Sequence, residues 1–147
     1  MRGFDGGKKV KGRKRHLVVD TLGLVLKAFV TEAHYHDGTV GTWLLPGLRK
    51  RFPRLSKLWA DGTYSGEFVE RAADLGIEVE ITTRLSDQPG FQVIHWRWVV
   101  ERTLAWLGNY RRLSKDYEYW VYTSDAMIYA AMVHLMARRL ARLPAQS

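Results

Sequence analysis

The sequence predicts a domain of the α/β type, more closely α+β, in which two antiparallel strands are followed by alternating helices and strands. Short apolar runs bounded by glycine or aspartate predict the strands, and longer runs with apolar residues three or four apart predict the helices. The chain has 147 residues, of which 46% are hydrophobic and none is cysteine. This length and composition suit one domain with a buried core, and they exclude a disulfide framework or a thiolate zinc site.

The first part of the chain predicts a basic segment followed by a β-hairpin. Residues 1–15 are rich in glycine and lysine, and we interpret them as a flexible segment that precedes a domain of residues 16–147. Residues 16–19 and 24–31 are rich in apolar and β-branched side chains, and residues 20–23 between them end in glycine. Two strands joined by a tight turn are therefore expected here.

The middle of the chain predicts helices and strands in alternation. Residues 38–52 have helical spacing, and Pro46 makes an irregular or kinked helix the expectation. Gly76 is a typical residue to end the helix that precedes it. The other elements predicted here are a strand at residues 58–61, a helix from residue 65 or 66 to residue 75, and a strand at residues 77–83.

The last third of the chain predicts two longer helices. Residues 84–90 are expected to form a loop, and the helix after it would run from residue 91 or 92 to about residue 107. Ser124 followed by Asp125 predicts the N-cap of a final helix that runs to about residue 143.

Positive charge is concentrated near the start of the chain. The 23 lysines and arginines exceed the 15 acidic residues, which gives a net charge of +8 at pH 7. Such an excess predicts a polyanionic partner, with nucleic acid as the first candidate. The alternative is a solvated basic arm that contacts nothing in particular. The residues expected to contact DNA phosphates in this cluster are Lys8, Lys9, Lys11, Arg13, Lys14 and Arg15.

No part of the sequence predicts a membrane segment or a secretion signal. The N-terminus lacks an apolar core region, and the longest apolar run, residues 126–133, is too short to cross a bilayer. The absence of cysteine suits a reducing compartment. A cytoplasmic protein is therefore expected.

Two carboxylates forty positions apart are the candidate catalytic and metal-binding residues. Asp61 ends the apolar run of residues 58–61, and Glu101 lies in the aromatic and basic stretch of residues 96–103. Mg²⁺ and Mn²⁺ prefer carboxylate oxygens, and two such ions can clamp the attacking and leaving oxygens of a phosphoryl transfer. The alternative is that Asp61 caps a turn and that Glu101 is a surface helix residue.

Several blocks of this sequence resemble the DDE transposases of bacterial insertion sequences. They are residues 2–16, with the run Arg-Gly-Phe-Asp-Gly-Gly-Lys-Lys, residues 59–66, with the run Trp-Ala-Asp-Gly-Thr-Tyr-Ser-Gly, residues 96–107, and Tyr117. The resemblance covers nearly the whole chain. It implies an RNase H-like fold, in which a mixed sheet is flanked by helices.

The resemblance also implies roles for individual residues. Asp61 and Glu101 match the second and third acids of the family's catalytic triad, which would hold Mg²⁺ or Mn²⁺ in the complete catalytic domain. Arg97, four residues before the glutamate, matches an arginine of the same motif. Two positions depart from the family pattern, because Ile94 stands where a tyrosine is frequent and Gly108 where a lysine or arginine is frequent.

The first acid of the triad has no convincing counterpart in this sequence. In the family it lies on a strand upstream of the glycine- and lysine-rich segment with which this sequence begins, so a sheet without its first strand is expected. The other candidates are Asp5, Asp20 and Asp37. Asp20 is expected at the opposite end of the sheet from Asp61, and Asp37 on the same side as Asp61.

These features predict the C-terminal part of a DDE transposase, which catalyses DNA cleavage and strand transfer at insertion-sequence ends. Alone the chain is expected to be inactive. Its partners would be DNA and the remaining N-terminal transposase segment or a full-length transposase, in association with the bacterial nucleoid. One alternative is a catalytically inactive DNA-binding or regulatory protein derived from a transposase, and another is a basic RNA-binding module. Further DNA contacts are expected from Arg102, Arg111 and Arg112, whereas Trp98 and Trp106 are expected in the core.

Overall fold

Strands and helices alternate along the chain as the sequence predicts. The computed structural model describes residues 3–6, 10–82 and 96–143, and of Asp5, Val10 and Arg97 it describes the backbone. The strands are β1 (Gly3–Asp5), β2 (Val10–Val19), β3 (Val25–Glu32), β4 (Lys57–Asp61) and β5 (Glu78–Thr82). The helices are α1 (Asp37–Leu44), α2 (Leu48–Arg51), α3 (Glu67–Asp74), α4 (Arg97–Gly108) and α5 (Val121–Leu140).

Within the described residues the strands form two separate sheets. β1, β2 and β3 are antiparallel, and the pairing of β2 with β3 starts at Arg13 opposite Glu32. β4 and β5 are parallel, with Asp61 opposite Thr82 at the carboxyl end. This mixed architecture of helices and small sheets is consistent with the α+β, RNase H-like class that the sequence predicts.

The turn between β2 and β3 follows directly from local chemistry. One carboxylate oxygen of Asp20 accepts hydrogen bonds from the backbone N–H groups of Leu22 and Leu24, at 2.9 and 2.8 Å. Gly23 has a φ of 82°, in the left-handed region that glycine adopts without strain. The predicted hairpin is therefore confirmed.

β2 begins earlier than the sequence predicts, at Val10 rather than at residue 16. The described parts of the predicted flexible segment, residues 3–6 and 10–15, thus contain β1 and the first part of β2. Arg13 and Lys14 are held in β2 by ion pairs to Asp116 and Asp37, at 3.2 and 3.0 Å. The run of charged residues did not predict a strand, because the acidic partners of these charges lie far away in the sequence.

Both sheets lie between the same two layers of helices. On one side, Val18 of β2 and Leu58 of β4 pack with Leu45, which follows α1, and with the core residues of α2 and α3. On the other side, Leu17 of β2 packs with the core residues of α4 and α5. The ring centroid of Trp59 of β4 is 5.3 Å from that of Trp96, the residue before α4. Since neighbouring side chains of a strand point to opposite faces, the two sheets form a single layer.

The core consists of two apolar clusters, one on each face of the strand layer. A strand and a helix share each cluster because their apolar residues recur with period 2 and with a spacing of three or four. The cluster between β3, α4 and α5 contains Ala28, Val30, Leu107, Leu113, Ile128, Ala131 and Met132. The cluster between α2, α3 and the start of β5 contains Leu45, Leu48, Phe68, Ala72 and Ile77.

The start of the last helix differs from the prediction. α5 begins at Val121, so Ser124 lies inside the helix and is not its N-cap. Ser124 is buried and its hydroxyl accepts a hydrogen bond from Arg13, while Asp125 binds the backbone of β3. Both side chains thus serve long-range contacts, which a capping pattern does not reveal.

The remaining described elements agree with those predicted from the sequence. Two predicted features lie outside the described residues. The helix predicted at residues 38–52 is divided into α1 and α2 at Gly47, which has a φ of 77°. The loop predicted at residues 84–90 and the helix start predicted at residue 91 or 92 lie outside the described residues. In the described part of the chain, no helix combines the length and the apolar character that a bilayer crossing requires.

Candidate active-site cleft

Asp61, the last residue of β4, is exposed and caps the turn that follows it. Its Oδ1 accepts a hydrogen bond from the backbone N–H of Thr63 at 2.9 Å. Asp61 therefore caps a turn, which is the role that the sequence offers as the alternative to metal binding. This capping employs one carboxylate oxygen, so it fixes the orientation of the side chain and does not exclude a ligand on the second oxygen.

Asp37 lies on the same side of the sheet layer as Asp61, as the sequence predicts. Thr63 closely approaches α1, because a side chain at Gly38 would come within 2.7 Å of the Thr63 carbonyl oxygen. Burial of Tyr64, together with the negative charges of Asp37 and Asp61, raises the pKa of its hydroxyl to about 12. The tyrosine is therefore neutral at physiological pH, and the two aspartates face it from different elements.

A contact between β2 and Asp37 determines the direction of β2 relative to β4. Lys14, near the start of the paired part of β2, donates a hydrogen bond to Asp37 Oδ1 at 3.0 Å. The start of β2 therefore lies at the end of the layer where β4 ends with Asp61. β2 and β4 run in opposite directions, and Asp20 lies at the far end of the sheet, as predicted.

Glu101 is an exposed residue of α4. This helix lies on the face of β4 that carries Trp59 and Asp61, because the ring of Trp96 contacts that of Trp59 and the side chains of residues two apart share a face. The side of α4 that faces the sheet layer includes Val100, next to Glu101. The structure thus brings α4 to the correct face, and the sharing of a metal ion by Asp61 and Glu101 stays a prediction.

Among the described residues, no three histidine, cysteine, aspartate or glutamate side chains form a group that could hold a metal ion. Asp37, the acid near Asp61, is paired with Lys14. A Mg²⁺ ion needs octahedral oxygen ligands, of which the protein usually supplies at least one or two carboxylates in fixed geometry. The described residues by themselves do not fit a complete divalent metal site.

Arg13, predicted to contact DNA, is an internal anchor. Its side chain is 3% exposed and is paired with Asp116 at 3.2 Å. Its guanidinium also donates hydrogen bonds to the carbonyl oxygens of Glu118 and Tyr119, at 2.8 and 2.6 Å, and to the hydroxyl of Ser124 at 3.3 Å. The five donors of a guanidinium suit such a set of acceptors, so this residue ties β2 to the segment before α5.

Other basic residues of the predicted DNA surface are partly used within the fold. Arg15 is half-buried, and burial lowers its pKa. Arg112 donates from Nε to Oε1 of the buried Glu118 at 3.0 Å. Lys11 and Arg111 are exposed, in agreement with a contact surface. Lys8 and Lys9 lie outside the described residues, as does the side chain of Arg97.

Arg102 is held between two tryptophans of its own helix. Its guanidinium carbon is 4.5 Å from the ring centroid of Trp98 and 4.7 Å from that of Trp106. It also donates a hydrogen bond to the carbonyl oxygen of Leu22 at 3.1 Å. Trp98 is 47% exposed, so the prediction that it lies in the core is wrong. Helical spacing alone cannot distinguish a core tryptophan from one that stacks on an arginine at the surface.

A second basic group was missed at the sequence level. Four exposed basic residues lie in α2 and in the segment that follows it, and four basic side chains within six positions would have been the signal. Two of them line the cleft at the end away from Asp61. The group consists of Arg49, Lys50, Arg51 and Arg54.

A cleft of about 810 Å³ separates β2 from β4 and has Asp61 and Tyr64 among its lining residues. The helices on both sides of the cleft line it mainly with apolar residues, because one apolar cluster lies on each side of the strand layer. Representative lining residues are Leu17, Val19, Leu58, Phe68, Val100 and Leu104.

Comparisons with known proteins identify the family of this chain. The family described as the transposase DDE domain matches residues 1–136, which include both Asp61 and Glu101. A Burkholderia cepacia protein named as a transposase for insertion sequence element IS402 is 39% identical over 118 residues, which cover 73% of this chain and 54% of that protein. The chain thus spans about half the length of this relative, and no solved structure matches it. The chain belongs to the DDE transposase family of insertion sequences.

Proposed function

We propose that this chain acts in DNA transposition, as the C-terminal part of a transposase that cuts DNA and joins strands at insertion-sequence ends. The observation that carries this proposal is Asp61, which ends a strand at the rim of a cleft inside a family match over residues 1–136. Glu101, on the helix that covers the same face, would be the second acid of the site. A protein with this role would work in the bacterial cytoplasm, associated with the nucleoid.

In this proposal the neighbours of Asp61 orient its carboxylate and limit the negative charge around it. The Thr63 N–H orients it, and the neutral Tyr64 hydroxyl keeps further negative charge away from it. Lys14 balances the charge of Asp37. When bound, Mg²⁺ or Mn²⁺ would stabilise negative charge on phosphodiester oxygens. Asp61 and Glu101 would provide ligands, and because the described residues do not complete a metal site, the activity belongs to a more complete catalytic domain.

DNA would be held mainly by exposed basic residues. The net charge of +8 favours phosphate contacts, and Lys11 and Arg111 are exposed. Arg97 would hold a phosphate or Glu101. Arg102 and Arg112 would contribute less than the exposed residues, because parts of their guanidinium groups are bound within the fold.

Excision of a marked element in cells tests this proposal. A full-length transposase that contains this sequence would carry Asp61→Asn or Glu101→Gln, and each change should lower excision by roughly a hundredfold or more because it removes a charged ligand. Glu70→Gln and Asp74→Asn, on the exposed side of α3, are matched controls and should leave excision near the wild-type level. Wild-type excision by either Asp61→Asn or Glu101→Gln would contradict the proposal.

A regulatory protein is the second candidate, and the lack of a three-ligand group among the described residues favours it. Such a protein would bind transposon DNA or a full-length transposase without cutting. Expressed together with an active transposase, the chain should then lower excision, and its Asp61→Asn variant should lower excision equally. An inhibitory effect that depends on Asp61 would contradict this second candidate.

A further inference from the structure

Helix α5 is apolar on two opposite faces. Its inner face packs in the core through the buried residues Ile128, Ala131 and Met132. The outer face, on the other side of the helix, carries seven exposed residues that lie three or four positions apart, so they form one continuous stripe. None of the seven is charged. The outer stripe consists of Tyr122, Ala126, Tyr129, Ala130, Val133, Ala137 and Leu140.

The outer stripe runs along most of α5 and is well exposed. Tyr122 and Leu140, at its two ends, are 67% and 68% exposed. They lie about 27 Å apart along the helix axis, at a rise of about 1.5 Å per residue. A helix that is apolar on all sides is typically covered on all sides. An apolar stripe of this length at the surface therefore indicates a contact with another molecule.

The two ends of the outer stripe differ in chemistry. At the first end, the ring of Trp120 stacks on that of Tyr122, with 6.0 Å between the centroids, and both rings are exposed. At the second end, the exposed Leu140 and Leu143 lie beside three exposed arginines. These arginines are Arg138, Arg139 and Arg142. One end is thus aromatic, and the other is aliphatic and basic.

We propose that two copies of this chain pair through the outer stripes of their α5 helices, which run antiparallel in the pair. Packed helices place the side chains of one between those of the other, and rows of residues three or four positions apart provide the ridges and grooves. The outer stripe is such a row, and the α5 helix of a second copy carries the matching one. This inference concerns a surface away from the cleft, so it does not rest on the chemistry proposed above.

The chemistry of the two ends favours the antiparallel orientation. This orientation places the exposed ring of Tyr122 against Leu140 of the other copy, and it places Val133 near the twofold axis, about which each contact is repeated. A parallel pair would place the arginines of both copies side by side. In the antiparallel pair the two basic ends lie about 27 Å apart, well beyond the electrostatic screening length of about 8 Å.

The size of the surface agrees with a dimer that forms at micromolar concentration. The outer stripe, together with Trp120 and Leu143, can bury roughly 600 Å² per copy, or roughly 1,200 Å² in total, which is the lower limit of stable interfaces between proteins. Three of the seven stripe residues are alanine, so the two helix axes can approach to about 8 Å. Contact at this distance covers the tyrosine and leucine side chains that are exposed in the single chain.

Analytical ultracentrifugation of the full chain, purified with nuclease treatment and without added DNA, measures the association. At about 100 μM the wild-type chain should have twice its single-chain mass of 17.0 kDa. Val133→Lys should raise the dimer Kd by roughly a hundredfold or more, because it places two ammonium groups at the centre of the interface. Lysine favours a helix more than valine does, so this variant should keep the native circular dichroism spectrum. The matched control is Leu22→Lys in the turn between β2 and β3, because Leu22 is 63% exposed and Val133 60%, and it should change the Kd by about twofold or less.

Disulfide crosslinking tests the orientation of the two helices. The sequence contains no cysteine, so Tyr122→Cys and Leu140→Cys each introduce the only thiol of the chain. A disulfide requires Cα atoms within about 7 Å of each other. Oxidation should therefore link the two variants to each other in a mixture, and it should link neither variant to itself. Tyr129 is left unchanged because its hydroxyl binds the backbone of β3.

Several results would overturn the inference. One is a single-chain mass at about 100 μM, and another is an equal Kd for Val133→Lys and Leu22→Lys. Association that occurs only when the nuclease step is left out would assign it to bound nucleic acid. Crosslinks within either single cysteine variant would contradict the antiparallel orientation. A monomeric chain whose Tyr122→Cys thiol is protected from alkylation only by the N-terminal part of a transposase would assign the outer stripe to that part. The readouts involve no DNA cleavage and no metal ion, so their failure leaves the proposed function to be tested separately.

Discussion

Asp125 of α5 accepts a hydrogen bond from the backbone N–H of Val30 in β3, with 2.7 Å between Oδ1 and N. Burial raises the pKa of the Asp125 carboxyl to about 6, and the hydrogen bond from Val30 acts in the opposite direction. A carboxylate on a helix thus covers an outer sheet edge at the cost of partial burial of its charge.

Asp125→Asn should stabilise the protein more at neutral than at acidic pH. The folded-state pKa, about 6, lies above the ordinary value of 3.8, so the folded state binds the proton more tightly. Wild-type stability should therefore fall as the pH rises from about 4 to about 6. Asparagine keeps the acceptor oxygen and removes the charge, and because the site is partly exposed we expect a gain of about 1 kcal/mol or less at pH 7.5.

Urea unfolding at pH 4.5 and pH 7.5 measures this effect. The matched control is Asp74→Asn, an exposed residue at the end of α3, which should change stability by about 0.5 kcal/mol or less at both pH values. An equal effect of Asp125→Asn at the two pH values would show that the charge of Asp125 does not oppose folding.

Arg13→Ala should destabilise the fold strongly. The substitution removes the donor to acceptors of Asp116, Glu118, Tyr119 and Ser124, most of which are partly buried, at an expected cost of about 3 kcal/mol in unfolding free energy. Arg13→Lys should recover little of this, because an ammonium cannot reproduce the planar set of donors. Denaturant unfolding is the measurement, with the exposed Lys11→Ala as control. Similar stability of Arg13→Ala and Lys11→Ala would refute the anchoring role.

The elements that the sequence predicts well are those determined by local chemistry. The Asp20 turn and the strand that ends at Asp61 follow from short-range spacing and turn residues. The strand around Arg13 and the internal position of Ser124 were missed because these two residues bond to each other across 111 positions of sequence. The same limit applies to the site. Asp61 was identified from its strand end, but its relation to Glu101 depends on how α4 packs.

The isolated chain should bind DNA with a strong salt dependence. If four to six phosphates are neutralised, log affinity should fall against log salt with a slope of roughly −4 to −5. Changing Lys8, Lys9 and Lys11 to serine should reduce the magnitude of this slope by up to about 3, and it spares the structural Arg13. Fluorescence anisotropy at several salt concentrations is the measurement.

The control for charge alone is a second triple variant, with serine at the exposed positions Lys50, Arg54 and Arg138. It removes the same number of positive charges and should change the slope less. If both triple variants change the slope equally, DNA binding follows net charge and not the basic segment. Binding that ignores salt altogether would contradict a phosphate contact surface.

The isolated chain should bind divalent metal weakly and cut no DNA. Asp61 and Glu101 offer few protein ligands, so we expect an Mn²⁺ affinity no better than about the millimolar range. Isothermal titration measures the affinity, and a supercoiled plasmid reports nicking. Nicking by the purified chain that disappears in Asp61→Asn would show that the chain already has a complete site, with Asp37 as the first candidate for the additional ligand.

The most direct test of the central claim is DNA cleavage by the completed enzyme. The chain would be supplied with the N-terminal part of a transposase, either fused or co-expressed, and tested on transposon-end DNA with Mg²⁺. We predict metal-dependent cleavage that Asp61→Asn and Glu101→Gln each abolish, while DNA affinity stays within about twofold, because affinity depends on the basic surface. The double variant should be no worse than either single one, since the two acids act as a unit. A completed enzyme that still cleaves with Glu101→Gln or Asp61→Asn would contradict the assignment of these carboxylates to the active site.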